Sequence, residues 1–170
     1  MYFFLVFLVA VQRVAELQIS ESNEAQLRRR GAVEHGAGHY PLMVALHSFW
    51  LVACLVEWWN GTPDMPWEVV GAAWILFIAG QVLRVLTIRT LKRRWTTRVL
   101  VLQGAELVQD GPFRWLSHPN YLGVTLELFA LPLIGGCWRT SLIFGTLNVI
   151  LLMYRIRVED RALRGTREDV

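Results

Sequence analysis

Two stretches, residues 40–59 and 67–90, are apolar almost without a break. Each reaches the roughly 20 residues that a helix needs to cross the hydrocarbon of a bilayer. Lipid offers no partner to a backbone N–H or C=O, so apolar stretches of this length are expected to be helices. Three shorter apolar segments lie at about 2–17, 121–134 and 141–154, the fourth broken by Pro132. The last two could also form one helical hairpin turning at Gly135 and Gly136. The fold class expected is all-α: an integral membrane helical protein with about five transmembrane helices. One domain spans 1–170, with N-terminal helices to residue 90 and a loop plus C-terminal helices over 91–170. A chain that is 54% hydrophobic and 18% charged could not easily hide that surface as a soluble domain.

The basic residues fall in alternate connections. Arg28, Arg29 and Arg30 follow the first segment. Arg89, Lys92, Arg93, Arg94, Arg98 and Arg114 lie around the connection between the third and fourth. Arg155, Arg157, Arg161, Arg164 and Arg167 fill the tail. Only Arg13, Arg84 and Arg139 of the 17 Lys and Arg residues lie elsewhere. The positive-inside rule then puts the N-terminus outside and the tail in the cytoplasm of a bacterial plasma membrane. Trp58, Trp59 and Trp67 flank the non-basic loop, as an interfacial belt would. The first segment lacks a basic n-region and a small-residue cleavage site, and reads as a retained helix. Cys54 and Cys137 sit in apolar segments with no CxxC, so they read as small buried hydrophobes rather than zinc ligands or a disulfide. Neither a metal nor a nucleic-acid partner is expected.

Charges inside spans need a reason, because each costs at least about 2.5–3.5 kcal/mol at a helix centre. Arg13 and Glu16, and Gln81 and Arg84, are spaced to share a helical face, as are Asn120 and Glu127. Asn148, Arg155 and Glu159 make an i, i+7, i+11 stripe on the last helix. Interhelical glue explains the first groups. The segment 31–41 carries Glu34, His35 and His39 among glycines; it reads as a loop packed on the active-site face, with Glu34 or His39 in reach of a substrate. His47 reads as a lone polar group in the second segment.

The chemistry concentrates at the end of the large basic connection, in the run GPFRWLSHPNYLG at 111–123. Gly-Pro marks a turn, and Pro119 suits the first turn of a helix. A helix N-terminus offers free N–H groups and a partial positive end, a seat for the carboxylate of an amino-acid-like cofactor.

This run, with RIRVEDRAL at 155–163, resembles the isoprenylcysteine carboxyl methyltransferase superfamily over roughly residues 80 to 163. The N-terminal QRVAEL and the stretch from Ser20 to His47 resemble bacterial members encoded with type III polyketide synthases, which methylate a hydroxyl of alkylpyrones or alkylresorcinols. The resemblance implies an S-adenosylmethionine pocket facing the cytoplasm and closed by the C-terminal helix. It implies that Glu106, Leu107 and Val108 line that pocket, that Phe113 lies beside the cofactor, and that His118, Pro119 and Tyr121 hold the methionine end. Arg155 corresponds to an arginine acting on the substrate, and Glu159 and Asp160 to the family's paired acids. Three departures stand out: Ser117 replaces the usual Arg before His-Pro, Asp160 is shorter than the usual Glu, and the sequence ends at Val170 without the longer segment of prenylcysteine enzymes, which argues against a prenylated protein as substrate.

The expected reaction is transfer of a methyl group to an oxygen, hydroxyl or carboxylate, of a lipophilic acceptor entering from the bilayer among membrane lipids. Alignment of nucleophile and methyl is the main demand. Arg155 could stabilise an oxyanion and Glu159 or His118 could take the proton. Three other readings stay open. Membrane sterol-type reductases carry a similar His-Pro-Asn-Tyr-x-Gly stretch that binds NADPH, although Val124 follows Gly123 here where they have an acid. A phospholipid N-methyltransferase would use the same cofactor on an amine. A small non-enzymatic membrane subunit would need neither His118 nor Arg155.

Overall fold

The computed structural model describes the backbone of residues 1–168 and side chains through Arg164. The side chain of Arg167 and the terminal Val170, both part of the sequence reading, lie outside the described residues. Five α-helices follow one another: α1 (Tyr2–Arg29), α2 (Tyr40–Trp59), α3 (Trp67–Leu91), α4 (Pro119–Ile134) and α5 (Trp138–Glu168). Two three-residue strands, β1 (Val33–His35) and β2 (Val99–Val101), pair antiparallel with Glu34 opposite Leu100. Four helices are long and apolar enough to cross a membrane, and α4, with 16 residues, is shorter. The chain is a multi-pass helical membrane protein, as expected.

The distribution of side chains is the reverse of a soluble domain. Glu127, Asn148 and Thr87 are fully buried, and Arg84 and Arg155 nearly so, while Phe3, Phe7, Ile75, Ile78, Leu142 and Ile150 face outward. Lipid makes this arrangement favourable, because apolar side chains lose nothing there and charged ones are driven inward to find partners.

Two helices outrun their apolar segments. The apolar part of α1 fades after Leu17, yet the helix continues to Arg29. Glu, Gln, Leu and Arg form helix well, and hydropathy marks only the lipid-facing part. Arg28 and Arg29 therefore close a helix rather than lie in a loop. α5 likewise begins at Trp138 and carries the whole 155–163 motif on helix. The hairpin between α4 and α5 does turn at Gly135 and Gly136. Gly136 adopts φ 76°, and a Cβ there would meet Thr62 Oγ1 at 2.9 Å.

α3 and α4 make the closest approach in the bundle. A Cβ on Gly80 would lie 2.9 Å from the Gly123 carbonyl oxygen, and one on Gly123 would lie 3.0 Å from that of Gly80. Small residues let membrane helices meet backbone to backbone. Gly80→Val is therefore expected to push the pair apart at a cost of about 1–3 kcal/mol. Thermal unfolding in detergent checks this, and an unshifted midpoint would mean that the helices can slide without penalty.

The close approach seats a charge cluster inside the bundle. Arg13 bonds Glu16 at 2.9 Å and also Glu127 on α4. Arg84 on α3 bonds Glu16 and lies 3.4 Å from Glu127. Gln12 donates to Glu16 at 2.9 Å and to Gln81 at 2.8 Å. Two arginines and two glutamates thus neutralise one another across three helices.

Candidate active site

α4 starts at Pro119, where the missing N–H of proline would have had no helical partner anyway. This puts His118 at the cap and Asn120 and Tyr121 in the first turn. α5 faces them with Arg155 and Glu159 one turn apart. The Tyr121 hydroxyl donates to the Glu159 carboxylate and accepts from Arg155 Nε at 2.8 Å. His118 stacks on Tyr121 with ring centroids 5.4 Å apart. Its Nε2 lies 3.1 Å from Asp160 Oδ1, so Nε2 carries the proton, and its Nδ1 lies 4.0 Å from Glu159. The buried Arg155 also donates to the Thr97 carbonyl at 2.6 Å and contacts Met43 Sδ at 2.9 Å. All three of its nitrogens are engaged.

The segment that follows α3 is strapped over this constellation. Asn23, on the polar extension of α1, donates to the Trp95 carbonyl at 2.8 Å, and the Thr97 amide donates to Ser20 Oγ at 2.8 Å. The β1–β2 pair continues the strap. Arg98 bonds Glu34 at 2.7 Å and its guanidinium lies 4.0 Å over the Tyr40 ring. Burial alone would raise the Glu34 carboxyl, but hydrogen bonds from Arg28 and Arg98 hold it below the usual carboxylate range. Its contribution to stability is intact at neutral pH and is lost only as pH falls through that depressed value. Glu34 is thus a strut of the strap. His39 packs edge-on against Tyr154 with centroids 5.6 Å apart.

Two cavities meet at Arg155 and Tyr121. The polar one is lined by the end of α3, Arg94, the strap through Val101, Phe113, residues 117–121, Arg155, Glu159 and Leu163. The apolar one, about 150 Å³, runs between the helices and is lined by Leu17, Met43, Val44, Leu51, Val124 and Leu152, with Arg13, Glu16, Arg84 and His47 at its polar wall. An engineered cavity of about 150 Å³ holds a benzene ring. Trp95, Asn120, Tyr121 and Arg155 line both.

Of the residues singled out in the sequence, Phe113, His118, Pro119, Tyr121, Arg155 and Glu159 come together on the polar cavity. Asp160 sits behind it, holding His118. Glu106, Leu107 and Val108 do not line it; Glu106 and Leu107 are exposed, and the link to this stretch is Arg94, which donates to the Glu106 carbonyl at 2.7 Å. Sequence reasoning missed Trp95, Thr97 and Met43, and read Asn120 only as interhelical glue. Trp95 and Thr97 precede a three-residue strand whose pairing is long-range, and no local pattern marks them.

Known proteins are similar to this chain. The chain is 34% identical to the uncharacterized protein YpbQ of Bacillus subtilis, over 96% of this chain and 97% of that one. It is 27% identical to an uncharacterized protein of Haemophilus influenzae, over 89% of this chain and 88% of the relative. No solved structure matches. The profile of the isoprenylcysteine carboxyl methyltransferase (ICMT) family matches residues 73–165. That match covers more than half of the chain and takes in most of α3, the segment that follows it, α4 and the part of α5 that carries Arg155, so the chain belongs to the ICMT family of membrane methyltransferases.

Proposed function

We propose that this methyltransferase uses S-adenosylmethionine to methylate an oxygen, hydroxyl or carboxylate, of a lipophilic acceptor of the alkylpyrone or alkylresorcinol type. The observation that carries the reading is the meeting of a polar and an apolar cavity at one arginine–tyrosine pair. The donor set of the polar cavity suits an amino-acid-like cofactor. Arg94, Arg98, His118 and the free N–H groups of α4 favour a carboxylate, and Glu159 favours a positive centre. Phe113 offers a flat face beside them.

When bound, S-adenosylmethionine supplies a methyl carbon on a positive sulfur: the acceptor oxygen forms the new C–O bond, the C–S bond breaks with its electron pair going to sulfur, and the acceptor proton leaves to a base. The protein's part is alignment and proton removal. Arg155, at the junction, steadies the acceptor oxygen as it ionises. Tyr121 faces both cavities and donates to Glu159, which supports a route for the proton from the junction to the Glu159 carboxylate. His118, tied to Asp160, orients Tyr121 by stacking. The apolar cavity takes the acceptor from the bilayer, with the polar cavity on the cytoplasmic side of a bacterial plasma membrane. A type III polyketide synthase is the class of enzyme that would supply such an acceptor.

Arg155 beside the junction favours an anionic oxygen over an ammonium headgroup, which separates this reading from phospholipid N-methylation. Calorimetry on detergent-purified protein tests it, with S-adenosylhomocysteine and NADPH side by side. Binding of S-adenosylhomocysteine alone is expected, with His118→Ala and Glu159→Ala each weakening it about tenfold. Binding of NADPH alone would move the chain to reductase chemistry. Wild-type affinity in both variants would refute the site.

A further inference from the structure

At the junction of the two cavities, two polar atoms have no use in the fold. Trp95 is 2% exposed, and its indole N–H has no acceptor among the described residues. Asn120 Oδ1 is enclosed and has no donor among them. Both residues line both cavities. Neither is loosely placed: the Trp95 carbonyl is held by Asn23, and Asn120 is locked into the first turn of α4 behind Pro119. The other two residues shared by the cavities already have partners, since Arg155 serves Tyr121, Thr97 and Met43, and the Tyr121 hydroxyl bridges Arg155 and Glu159. A buried donor and a buried acceptor left unpaired are costly to folding, and their survival at the reaction point asks for a ligand that satisfies them.

We infer that Trp95 and Asn120 form the recognition pair for the acceptor's head, reading a ring that bears a hydroxyl and a second oxygen. This rests on the O-methylation reading above. The indole N–H can only donate, so it binds an oxygen lone pair. That oxygen is not the one methylated. Arg155 already serves the oxygen that ionises, and a second donor fixed on it would hold back a transfer that removes its negative charge. The N–H therefore takes the second oxygen, and Asn120 Oδ1 accepts from the reacting hydroxyl as the acceptor docks, before that proton passes by way of Tyr121 to Glu159. A carboxylate head has no proton to give Asn120 once ionised, and an ammonium head leaves Trp95 unsatisfied. A single ring fits the space, with its alkyl chain along Val44, Leu51 and Val124. Both are positioning and specificity residues.

The test compares two acceptors that differ by one oxygen, a long-chain 5-alkylresorcinol and the matching 3-alkylphenol. Methyl transfer is measured as kcat/KM on wild type, Trp95→Phe and Asn120→Ala in detergent, with S-adenosylhomocysteine affinity measured alongside. Wild type should favour the diol about tenfold. Trp95→Phe keeps an aromatic face, though a smaller one, and removes the N–H, so it should lose about tenfold more on the diol than on the phenol and erase the preference. Asn120→Ala should slow both heads alike, because both carry the hydroxyl it reads. S-adenosylhomocysteine affinity should stay within twofold in both variants. The proposal is overturned if wild type shows no preference, or if Trp95→Phe keeps it or slows both heads equally. Should Trp95→Phe fail to fold, the wild-type preference and the uniform loss in Asn120→Ala still decide. Methylation of both heads without preference sinks this pair alone. Methylation of neither, with transfer to phosphatidylethanolamine instead, sinks the O-methylation reading and the pair with it.

Discussion

Replacing Arg155 by lysine is expected to lower turnover about a hundredfold while S-adenosylhomocysteine affinity changes by less than about threefold. The guanidinium makes three separate contacts, to the Tyr121 hydroxyl at 2.8 Å, the Thr97 carbonyl at 2.6 Å and Met43 Sδ at 2.9 Å. They fix a planar fork that an ammonium cannot reproduce. Lysine keeps the charge, so a purely electrostatic role for Arg155 would leave most of the rate. If alignment of the strap, Tyr121 and the acceptor oxygen is what matters, the loss should fall on kcat, since an interaction realised only in the transition state raises kcat without strengthening ground-state binding. Removal of one group that stabilises a developing or transient charge costs about 10²–10³ in kcat in enzymes where it has been measured. Steady-state methyl transfer with a long-chain acceptor, together with calorimetry of S-adenosylhomocysteine, gives both numbers. A loss confined to cofactor affinity would move Arg155 out of the reaction and into the cofactor site.

Glu127→Ala is expected to destabilise the protein by about 3–5 kcal/mol. Glu127 is fully buried on α4, where Arg13 of α1 and Arg84 of α3 converge on it. Without it, two guanidinium groups share the single carboxylate of Glu16 inside the bundle, where the excess charge is poorly solvated. The cost is that of an uncompensated buried cation rather than of a lost attraction. Removing charge in balance should therefore recover much of the loss. The double variant Arg84→Met/Glu127→Leu, which keeps the cluster neutral, should unfold at a higher temperature than Glu127→Ala. A thermal unfolding series in detergent settles it; a double variant less stable than Glu127→Ala would mean that the pair supplies geometry that neutrality alone does not replace. Arg13, Glu16 and Arg84 also wall the apolar cavity, so an acceptor head added to the unfolding experiment should raise the midpoint only where that wall is intact.

Much of this protein can be read directly from its residues. Stretches of about 20 apolar residues have one solution in lipid, a helix, because nothing outside the chain can satisfy their backbone. Pro119 and the Gly135–Gly136 turn mark where α4 begins and ends, since both act through the local backbone. His118, Tyr121, Arg155 and Glu159 were legible because two short motifs carry them, and their spacing on α5 puts Arg155 and Glu159 on one face. Hydropathy failed at the C-terminal ends of α1 and α5, where polar residues continue a helix that no longer needs to be apolar.

What the tertiary structure alone decided is which separated residues meet. The pairing of Val33–His35 with Val99–Val101 joins segments more than 60 residues apart, and three residues are too few to announce a strand. The balance of Arg13, Glu16, Arg84 and Glu127 depends on how α1, α3 and α4 rotate against one another, and the contact of Gly80 with Gly123 fixes α3 against α4. Trp95 and Asn120 become conspicuous only once Tyr121 and Arg155, the other two residues that line both cavities, have found their partners. Local sequence sets what each segment can form. The division of polar groups between partners, and the few left over for a ligand, follows from packing the whole bundle at once.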